Sequence, residues 1–169
     1  MTALLDIKGL SIRTGEKALV TDICFSIAAG ERLGLIGESG SGKSLTALAA
    51  IGLLPDVLSA SGSILLNGKQ VVGARDRELV PLRGTAAAVV FQEPLTALDP
   101  LVKIEKQVGE AVRRRAKRDG HATDKASITR EVLALLDQVA LPDPRRIFDA
   151  WPHEISGGQR QRAAIAMAL

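Results

Sequence analysis

The stretch GESGSGKS, residues 37–44, limits the possible folds of this chain more than any other feature. An apolar run at 33–36 precedes it, and a longer apolar run at 45–54 follows it. A buried strand, a glycine-rich loop and a helix, in this order, are the setting that a phosphate-binding loop requires. The stretch therefore predicts an α/β fold with an anion site between a strand and a helix.

The residue types in this stretch suit phosphate and magnesium. Glycines allow backbone N–H groups to line a concave anion site, and the following helix adds its positive dipole end. Lys43 supplies a mobile cation for β and γ phosphates, and the Ser44 hydroxyl is an oxygen ligand suited to Mg²⁺. The alternative is an ordinary glycine-rich turn, but the flanking strand and helix patterns favour nucleotide binding. The predicted ligands are Gly37, Glu38, Ser39, Gly40, Ser41, Gly42, Lys43 and Ser44.

Strand patterns dominate the first 99 residues. Residues 3–13 and 17–29 alternate apolar and polar side chains, which predicts two strands joined by a turn. Asn67-Gly68 lies between two short apolar segments and predicts a type I′ hairpin. The continuous apolar runs at 32–36 and 86–91 predict two buried parallel strands.

The segments between these strands carry helix and loop signals. The apolar run after the glycine-rich stretch predicts a helix over 43–54 that ends at Pro55. The small residues at 59–62 predict a loop, and 75–82 predicts a short polar helix or turn. The lone cysteine, Cys24, lies in an alternating segment and is expected to be a small buried side chain.

Helical spacing replaces the strand patterns after residue 100. Apolar residues recur at helical intervals in two runs separated by Asp119-Gly120, and a last helix covers 160–169. We therefore predict one domain in three parts. Residues 1–99 form a nucleotide-binding α/β core with an antiparallel β segment, 100–155 form a helical subdomain, and 156–169 form a final helix.

The composition of the chain mainly indicates where in the cell the protein is located. The chain has one cysteine, so no disulfide framework is expected and a reducing compartment is favoured. Its longest apolar run is much shorter than the ~20 residues that cross a bilayer, and its first residues lack a signal-peptide pattern. We expect a cytoplasmic protein that reaches a membrane only by docking on another protein.

A second glycine-containing stretch, ISGGQ, lies at residues 155–159. Ser156 and Gln159 have the spacing of a capping box, which on its own indicates only the start of a helix. The adjacent Gly157 and Gly158 also expose backbone N–H groups at that helix start, which makes a second potential anion site.

The motifs together resemble those of the nucleotide-binding subunits of ABC transporters. Residues 37–44 match the Walker A motif, and residues 155–159 match the signature motif with Ile155 in place of the usual leucine. Phe91-Gln92-Glu93-Pro94 matches the Q-loop and lies between them, as in the family. The resemblance implies a P-loop NTPase core with an N-terminal antiparallel β segment and a helical subdomain.

Three longer stretches are similar to the oligopeptide/dipeptide importer subfamily. They cover 34–44, 92–100 and 152–162, and the wider resemblance extends over essentially the whole chain. The resemblance implies an ATP-binding subunit that powers uptake of peptides or similar small solutes by ATP binding and hydrolysis.

The resemblance also implies roles for individual residues, with ATP and Mg²⁺ as cofactors. Gln92 would contact Mg²⁺ together with Ser44, would contact the attacking water, and would report the nucleotide state to the membrane subunit. The alternative for Gln92 is a polar residue at the end of a strand. The signature residues would close over ATP held by a second subunit, so that two subunits enclose two nucleotides head to tail. These trans ligands are Ser156, Gly157, Gly158 and Gln159.

The same resemblance implies partners and a place in the cell. The partners are a second nucleotide-binding subunit, in a homodimer or a heterodimer, and transmembrane permease subunits that contact the helical segment. A solute-binding protein would take part indirectly, and no nucleic acid is expected. The location would be peripheral, on the inner face of the cell membrane.

The chain departs from the family pattern after the signature helix. The family continues into an apolar strand ending in Asp-Glu, the Walker B motif, and later into a switch histidine. No such strand occurs among the 169 residues, and neither His121 nor His153 has the switch position. We therefore expect an α/β sheet that is incomplete at the C-terminus, and ATP binding without efficient hydrolysis, with Gln92 as the one supporting catalytic residue.

The expected adenine-stacking position also differs. The family usually places an aromatic residue just before the first turn, where this chain has Thr14. Neighbouring Arg13 could stack its guanidinium on the base, and otherwise selectivity for adenine should be weak.

Two other classes of protein share part of the pattern. A non-catalytic ATP-binding or dimerisation module would need Walker A and the signature but no Walker B. A DNA-repair ATPase of the same superfamily would place a long coiled coil between the two motifs, and no sustained heptads occur between them in this chain. The basic run at 113–118 favours a solvated helix face over a nucleic-acid surface, because no aromatic residues interleave it.

Overall fold

The computed structural model describes residues 3–91 and 97–169. The chain divides into two units, Met1–Ala88 and Val89–Leu169, and each unit has its own cluster of buried apolar side chains. The stretch at 37–44 belongs to the first unit, and the stretch at 155–159 belongs to the second.

An antiparallel sheet of four strands forms most of the first unit. The strands are β1 (Leu5–Thr14), β2 (Lys17–Ile27), β3 (Ser59–Leu66) and β4 (Lys69–Gln70), in the order β2-β1-β3-β4. The alternation of apolar residues predicts β1 and β2 because every second side chain of a strand reaches the same face. The side chains at the centre of this unit are Ile7, Leu10, Ile12 and Ile64.

The hairpin turns follow the sequence signals, but the predicted loop at 59–62 is wrong. Asn67 and Gly68 join β3 to β4 with φ values of 48° and 75°, as a type I′ turn requires. Residues 59–62 belong to β3 because Gly62, with φ of 96°, lets this strand approach β1 closely. A Cβ atom at Gly62 would lie 2.4 Å from the carbonyl oxygen of Gly9.

Two helices of the first unit are described, α1 (Lys43–Ala50) and α2 (Asp76–Leu79). Helix α1 begins where the sequence predicts but ends four residues earlier than Leu54. Gly52 is left-handed, with φ of 66°, and two bonds close a Schellman motif: Gly52 N–H to Ala49 O and Leu53 N–H to Leu48 O. The helix therefore ends at this glycine and not at Pro55.

The two predicted parallel strands, at 32–36 and 86–91, do not form in the described structure. Both runs are open to solvent in part, and Ile36 is 99% exposed. A strand requires a neighbour that accepts and donates its ladder hydrogen bonds, and the described residues provide only one isolated parallel bridge, between Arg83 and Ala87. The apolar pattern indicates which side chains these segments could bury. It does not indicate whether a neighbouring strand is present to form the ladder.

Helices make up the second unit. They are α3 (Ile104–Asp119), α4 (Lys125–Gln138), α5 (Pro144–Asp149) and α6 (Gly157–Ala168), with a short 3₁₀ turn at Pro152–Glu154. Their buried faces meet in one core, as the 3.6-residue spacing predicts. The largest of the buried side chains are Ile104, Val108, Val112, Val132, Leu136 and Ile147.

Cys24 differs from its predicted environment. The side chain is exposed, and its sulfur accepts a hydrogen bond from the N–H of Gly9 at 3.1 Å. It lies on the outward face of β2, one residue from the partly buried Ile23 and Phe25, because neighbouring side chains of a strand point to opposite faces.

Candidate functional site

The loop before α1 has the backbone conformation that its glycines predict. Gly40 and Gly42 are left-handed, with φ values of 82° and 89°. Gly42 also lies against β2, where an added Cβ atom would be 2.4 Å from Cγ2 of Val20. Only glycine satisfies both the backbone angle and this close approach. The start of α1 is thus placed against the sheet by the absence of a side chain at Gly42.

Lys43 is folded over its own loop. Its Nζ donates hydrogen bonds to the carbonyl oxygens of Gly37 and Glu38, both at 2.7 Å, and to Oγ of Ser41 at 3.2 Å. Ser41 also lies close to Gly37, where a Cβ atom would be 2.7 Å from Ser41 Oγ. The ammonium group therefore lies among three oxygen atoms of the loop, which hold the cation beside the N-terminal end of α1.

The first turn of α1 is open to an external acceptor. No side chain caps this helix, and in the part of the chain that the structure describes the N–H groups of Gly42, Lys43 and Ser44 have no acceptor. The Gly42 carbonyl oxygen is bound by Thr46, through its N–H at 2.8 Å and its hydroxyl at 3.0 Å. An uncapped helix start with free N–H groups and a nearby ammonium has the donors and the positive charge that suit a phosphate.

The residues present also fit a magnesium ion beside a bound phosphate. Ser44 is exposed on the first turn of α1, and its hydroxyl has no partner among the residues described. A hydroxyl oxygen is a ligand that Mg²⁺ accepts, and the ion keeps most of its other positions for water and phosphate oxygens. No group of three acidic, histidine or cysteine side chains that could hold a metal occurs at 3–91 or 97–169.

Sequence reasoning missed the group that holds the other end of α1. Arg83, which follows α2, donates from Nε to Ile51 O at 3.1 Å and from Nη2 to Gly52 O at 2.7 Å. Its Nη1 forms an ion pair with Oδ1 of Asp76 at 2.6 Å. The one sequence signal was a cation just before an apolar run, which is too common to be informative.

Gln92 lies outside the described residues, so its predicted role with Mg²⁺ and water remains a prediction. Farther along the chain, Gln107 of α3 holds the backbone at Asp99 and Val102. The Gln107 amide accepts from the Asp99 N–H at 2.9 Å and donates to the carbonyl oxygens of Asp99 at 2.9 Å and Val102 at 2.6 Å. Helical periodicity places Gln107 in α3 but does not reveal this contact.

The second glycine-containing stretch starts α6 as its capping box predicts. Ser156 Oγ accepts from the Gln159 N–H at 3.3 Å, and Gln159 Oε1 accepts from the Ser156 N–H at 2.9 Å. Ile155 is buried, and Arg160 Nε donates to its carbonyl oxygen at 3.2 Å. The capping bond uses only the acceptor side of Ser156, so the hydroxyl can still donate.

The two glycines at the start of α6 face open space. Both are exposed, and an added Cβ atom at Gly157 or Gly158 would meet no heavy atom within 4 Å. Neither residue has a positive φ. Nothing inside the described chain therefore requires glycine at these positions, whereas a ligand or a second protein approaching the backbone would.

The candidate base-stacking residue is tied to its own turn. Arg13 is the residue before the last one of β1, and its Nη2 donates a hydrogen bond to the carbonyl oxygen of Glu16 in the following turn. The residue is exposed. The role of Arg13 toward a base stays a prediction.

The basic run of α3 is partly neutralised by acidic side chains of the chain. Arg113 and Arg114 both pair with Glu110, at 2.9 and 2.8 Å, and Arg115 pairs with Glu131 of α4. The hydrogen bonds from Arg114 and Arg113 hold the pKa of Glu110 below its usual value. Arg118 pairs with Asp119 at 2.7 Å. These pairs reduce the charge that this helix face could offer to a phosphate backbone.

None of the helices described at 3–91 and 97–169 is long and apolar enough to cross a membrane.

The first unit has a P-loop nucleotide-binding fold of the α/β class. Its defining features are the glycine-rich loop, the open start of α1 and the adjacent sheet. The dimeric bacterial ABC transporter cassette MJ0796 has this fold. It matches with a TM-score of 0.81 and 25% identity over 98% of this chain and 68% of that one.

The sequence comparison identifies the family. The family model described as ABC transporter matches residues 20–169, and the chain belongs to this family. The oligopeptide transport ATP-binding protein OppD of Haemophilus influenzae is 40% identical in an alignment of 173 positions that covers 100% of this chain and 52% of that protein. OppD of Escherichia coli K12 is 39% identical in an alignment of 171 positions that covers 99% of this chain and 49% of that protein.

The chain therefore spans about half the length of these two relatives. The resemblance to ATP-binding subunits of oligopeptide importers, predicted from the motifs, is confirmed at the level of sequence similarity.

Proposed function

We propose that the chain is the ATP-binding part of an ABC importer that takes up peptides or similar small solutes. The observation that carries this proposal is the uncapped start of α1, where Lys43 lies beside N–H groups that have no acceptor in the described structure. The relatives support the importer over the DNA-repair alternative, because both OppD proteins are named for oligopeptide transport and ATP binding.

In this proposal Gly37–Ser44 holds the phosphates of ATP. The free N–H groups of Gly42, Lys43 and Ser44 donate to phosphate oxygens, and the α1 dipole adds to the attraction. Lys43 moves its hydrogen bonds from the loop carbonyls to the phosphates, which exchanges neutral acceptors for charged ones. Ser44 and Gln92 would hold Mg²⁺, which would supply positive charge to the phosphate oxygens.

The signature residues act on nucleotide bound by a second subunit. Ser156, Gly157, Gly158 and Gln159 lie at an exposed helix start. Among the described residues, no atom lies within 4 Å of a Cβ added at either glycine, which fits close approach of an outside phosphate. The partners are a second nucleotide-binding subunit and transmembrane permease subunits, with a solute-binding protein acting indirectly. We place the protein in the cytoplasm, on the inner face of the cell membrane.

We propose that the chain has three parts. The core covers residues 1–99, the helical subdomain covers 100–155, and the signature helix covers 156–169.

We further propose that the 169 residues alone bind Mg-ATP without efficient hydrolysis. No apolar strand ending in Asp-Glu follows α6 within these 169 residues, so no carboxylate is available to position water in the family's manner. In this respect the isolated chain behaves as the non-catalytic alternative, an ATP-binding module, and purified chain with the turnover of intact family members would contradict the proposal.

Binding of a fluorescent ATP analogue in the presence of Mg²⁺ tests the proposed site. Lys43→Ala should weaken binding by about 10- to 100-fold, because hydrogen bonds to a charged group contribute roughly 1.5–3 kcal/mol. Lys69→Ala is the matched control, since Lys69 is an exposed lysine of the same unit. Folded wild-type chain that does not bind, or equal affinity in Lys43→Ala, would contradict the proposal.

A further inference from the structure

Arg83 joins the C-terminal end of α1 to α2 through three contacts. Two N–H groups of its guanidinium donate to the carbonyl oxygens of Ile51 and Gly52, at 3.1 and 2.7 Å, and a third pairs with Asp76 at 2.6 Å. The Arg83 side chain is 23% exposed, whereas that of Asp76 is 74% exposed. The contacts to the carbonyls are therefore the sheltered ones, and the ion pair is at the surface.

A second feature independently places the same end of α1. An added Cβ atom at Gly52 would lie 2.3 Å from Cδ1 of Leu79 and 3.3 Å from Cγ1 of Val71, both of which are buried. The backbone at Gly52 thus lies directly on the core of the first unit. Close packing and the Arg83 hydrogen bonds together leave the end of α1 little freedom to shift.

Helix α1 depends on these outside contacts for its position. It has eight residues, and helices this short are not stable in water on their own. Its N-terminal end lies against Val20 through Gly42, and its C-terminal end is held by Arg83. A rigid helix of about 12 Å passes a shift at one end to the other. A cation on the last carbonyls also complements the negative end of the helix dipole.

We propose that Arg83 is a positioning residue for the phosphate-binding loop. By holding the carbonyls after α1, it fixes where the free N–H groups of the first turn point, although it touches no phosphate itself. This inference rests on the proposed nucleotide site at Gly37–Ser44. It differs from a purely structural role, in which Arg83 would stabilise the first unit and leave the geometry at Lys43 unchanged.

The test compares Arg83→Ala and Arg83→Lys with the control Arg77→Ala. Arg77 is exposed on α2 and has no hydrogen bond or ion pair among residues 3–91 and 97–169. Affinity for Mg²⁺ with a fluorescent ATP analogue is measured well below each variant's unfolding temperature. Arg83→Ala should bind about 3- to 10-fold more weakly. Arg83→Lys should lie between it and wild type, because an ammonium cannot reproduce the planar fork. Arg77→Ala should bind like wild type.

Amide hydrogen exchange separates positioning from local fraying. The Leu53 N–H, bonded to Leu48 O, reports the end near Arg83, and the Thr46 N–H, bonded to Gly42 O, reports the end near the loop. Positioning predicts faster exchange at both amides in Arg83→Ala, whereas fraying predicts faster exchange at Leu53 alone.

The outcomes distinguish this inference from the function on which it rests. Unchanged affinity and unchanged Thr46 exchange in Arg83→Ala, with wild type binding, overturn the inference alone. If wild type and Arg77→Ala are folded and do not bind, the proposed function fails and the inference fails with it. If Arg83→Ala does not fold, Arg83→Lys decides, and wild-type affinity in that variant overturns the inference.

Discussion

Helices α1 and α6 both begin at glycines, but the glycines serve different surroundings. At α1, Gly42 is left-handed and lies so close to Val20 that no side chain fits. At α6, Gly157 and Gly158 have no positive φ and meet nothing within 4 Å. The glycine at α1 is required by contacts inside the chain, whereas no described residue requires glycine at the start of α6.

The starts of α1 and α6 also differ in their side-chain caps, and here α6 is the one satisfied within the chain. Helix α6 is closed by Ser156, and two other helices of the second unit have carboxylate caps, Asp124 for α4 and Asp143 for α5. Helix α1 has no side-chain cap among the described residues, and Lys43 is held beside its first turn. A capped start is already satisfied, whereas an uncapped one favours an anion. The comparison separates a loop that is built to hold a ligand from a helix start that is stable without one.

The largest expected effect is at Gly42. Gly42→Ala adds a Cβ atom against Val20 Cγ2 and forces alanine into the left-handed region. Strain of about 1–3 kcal/mol and overpacking of about 1–3 kcal/mol should together destabilise the first unit and abolish nucleotide binding. Chemical denaturation and binding of an ATP analogue measure the two effects.

Gly40→Ala is the matched control for this variant. Gly40 has nearly the same backbone angle, but no atom lies within 4 Å of an added Cβ. Its cost should be limited to the backbone strain, about 1–2 kcal/mol. Equal losses of stability in the two variants would show that contact with Val20 does not determine the position of the loop.

The next effect is at the cap of α6. Ser156→Ala removes the acceptor for the Gln159 N–H and should lower the stability of the second unit by about 1 kcal/mol, whereas Ser156→Thr should retain most of it. The one tryptophan of the chain, Trp151, lies in the second unit, so its fluorescence during denaturation reports this unit. If Ser156→Ala does not lower the stability of the second unit, the Ser156 side chain does not stabilise the start of α6 as a cap.

A smaller effect of opposite sign is expected at Gly158. The Cβ atom of Gly158→Ala has no atom of the described residues within 4 Å, and alanine is favoured over glycine in a helix. Stability should therefore be unchanged or raised by up to about 0.5 kcal/mol. The same variant should weaken ATP-dependent association of two copies, measured by analytical ultracentrifugation. A loss of stability above about 1 kcal/mol would contradict the open space over α6.

The sequence was sufficient where a local rule determines the structure. The Walker A glycines, the Asn67-Gly68 turn and the Ser156–Gln159 box each follow from one residue's backbone freedom or one hydrogen bond. The motifs and their order also predicted the family, which the match over 20–169 confirms.

Features that depend on distant neighbours were not predictable. The strands expected at 32–36 and 86–91 required ladder partners that the described residues do not supply. The contacts of Arg83 with Ile51 and Gly52 join residues 32 and 31 positions apart. No pattern in a single segment encodes such a pair, so Arg83 became visible only in the fold.

The smallest effect concerns the capped helix starts of the second unit. Hydrogen bonds from Ser127, first from its side chain and then from its N–H, hold the pKa of the Asp124 carboxyl below its usual value. A carboxyl whose folded pKa is lowered contributes stability above its unfolded pKa of about 3.9, and this stability is lost as the pH falls through the folded pKa. Ser156 does not titrate in this range, so the α6 cap should persist in acid.

Asp124→Asn isolates this contribution, because asparagine caps a helix equally well but carries no charge to lose. The free energy of unfolding of wild type minus that of Asp124→Asn should be constant near neutral pH and decrease as the pH falls from about 5 to 2. The ion pairs of Glu110 and Asp119 are present in both proteins and cancel in this difference. A difference that does not vary with pH would mean that the charge of Asp124 does not contribute to the α4 cap. The α4 cap would then depend on hydrogen bonding alone, as the α6 cap does.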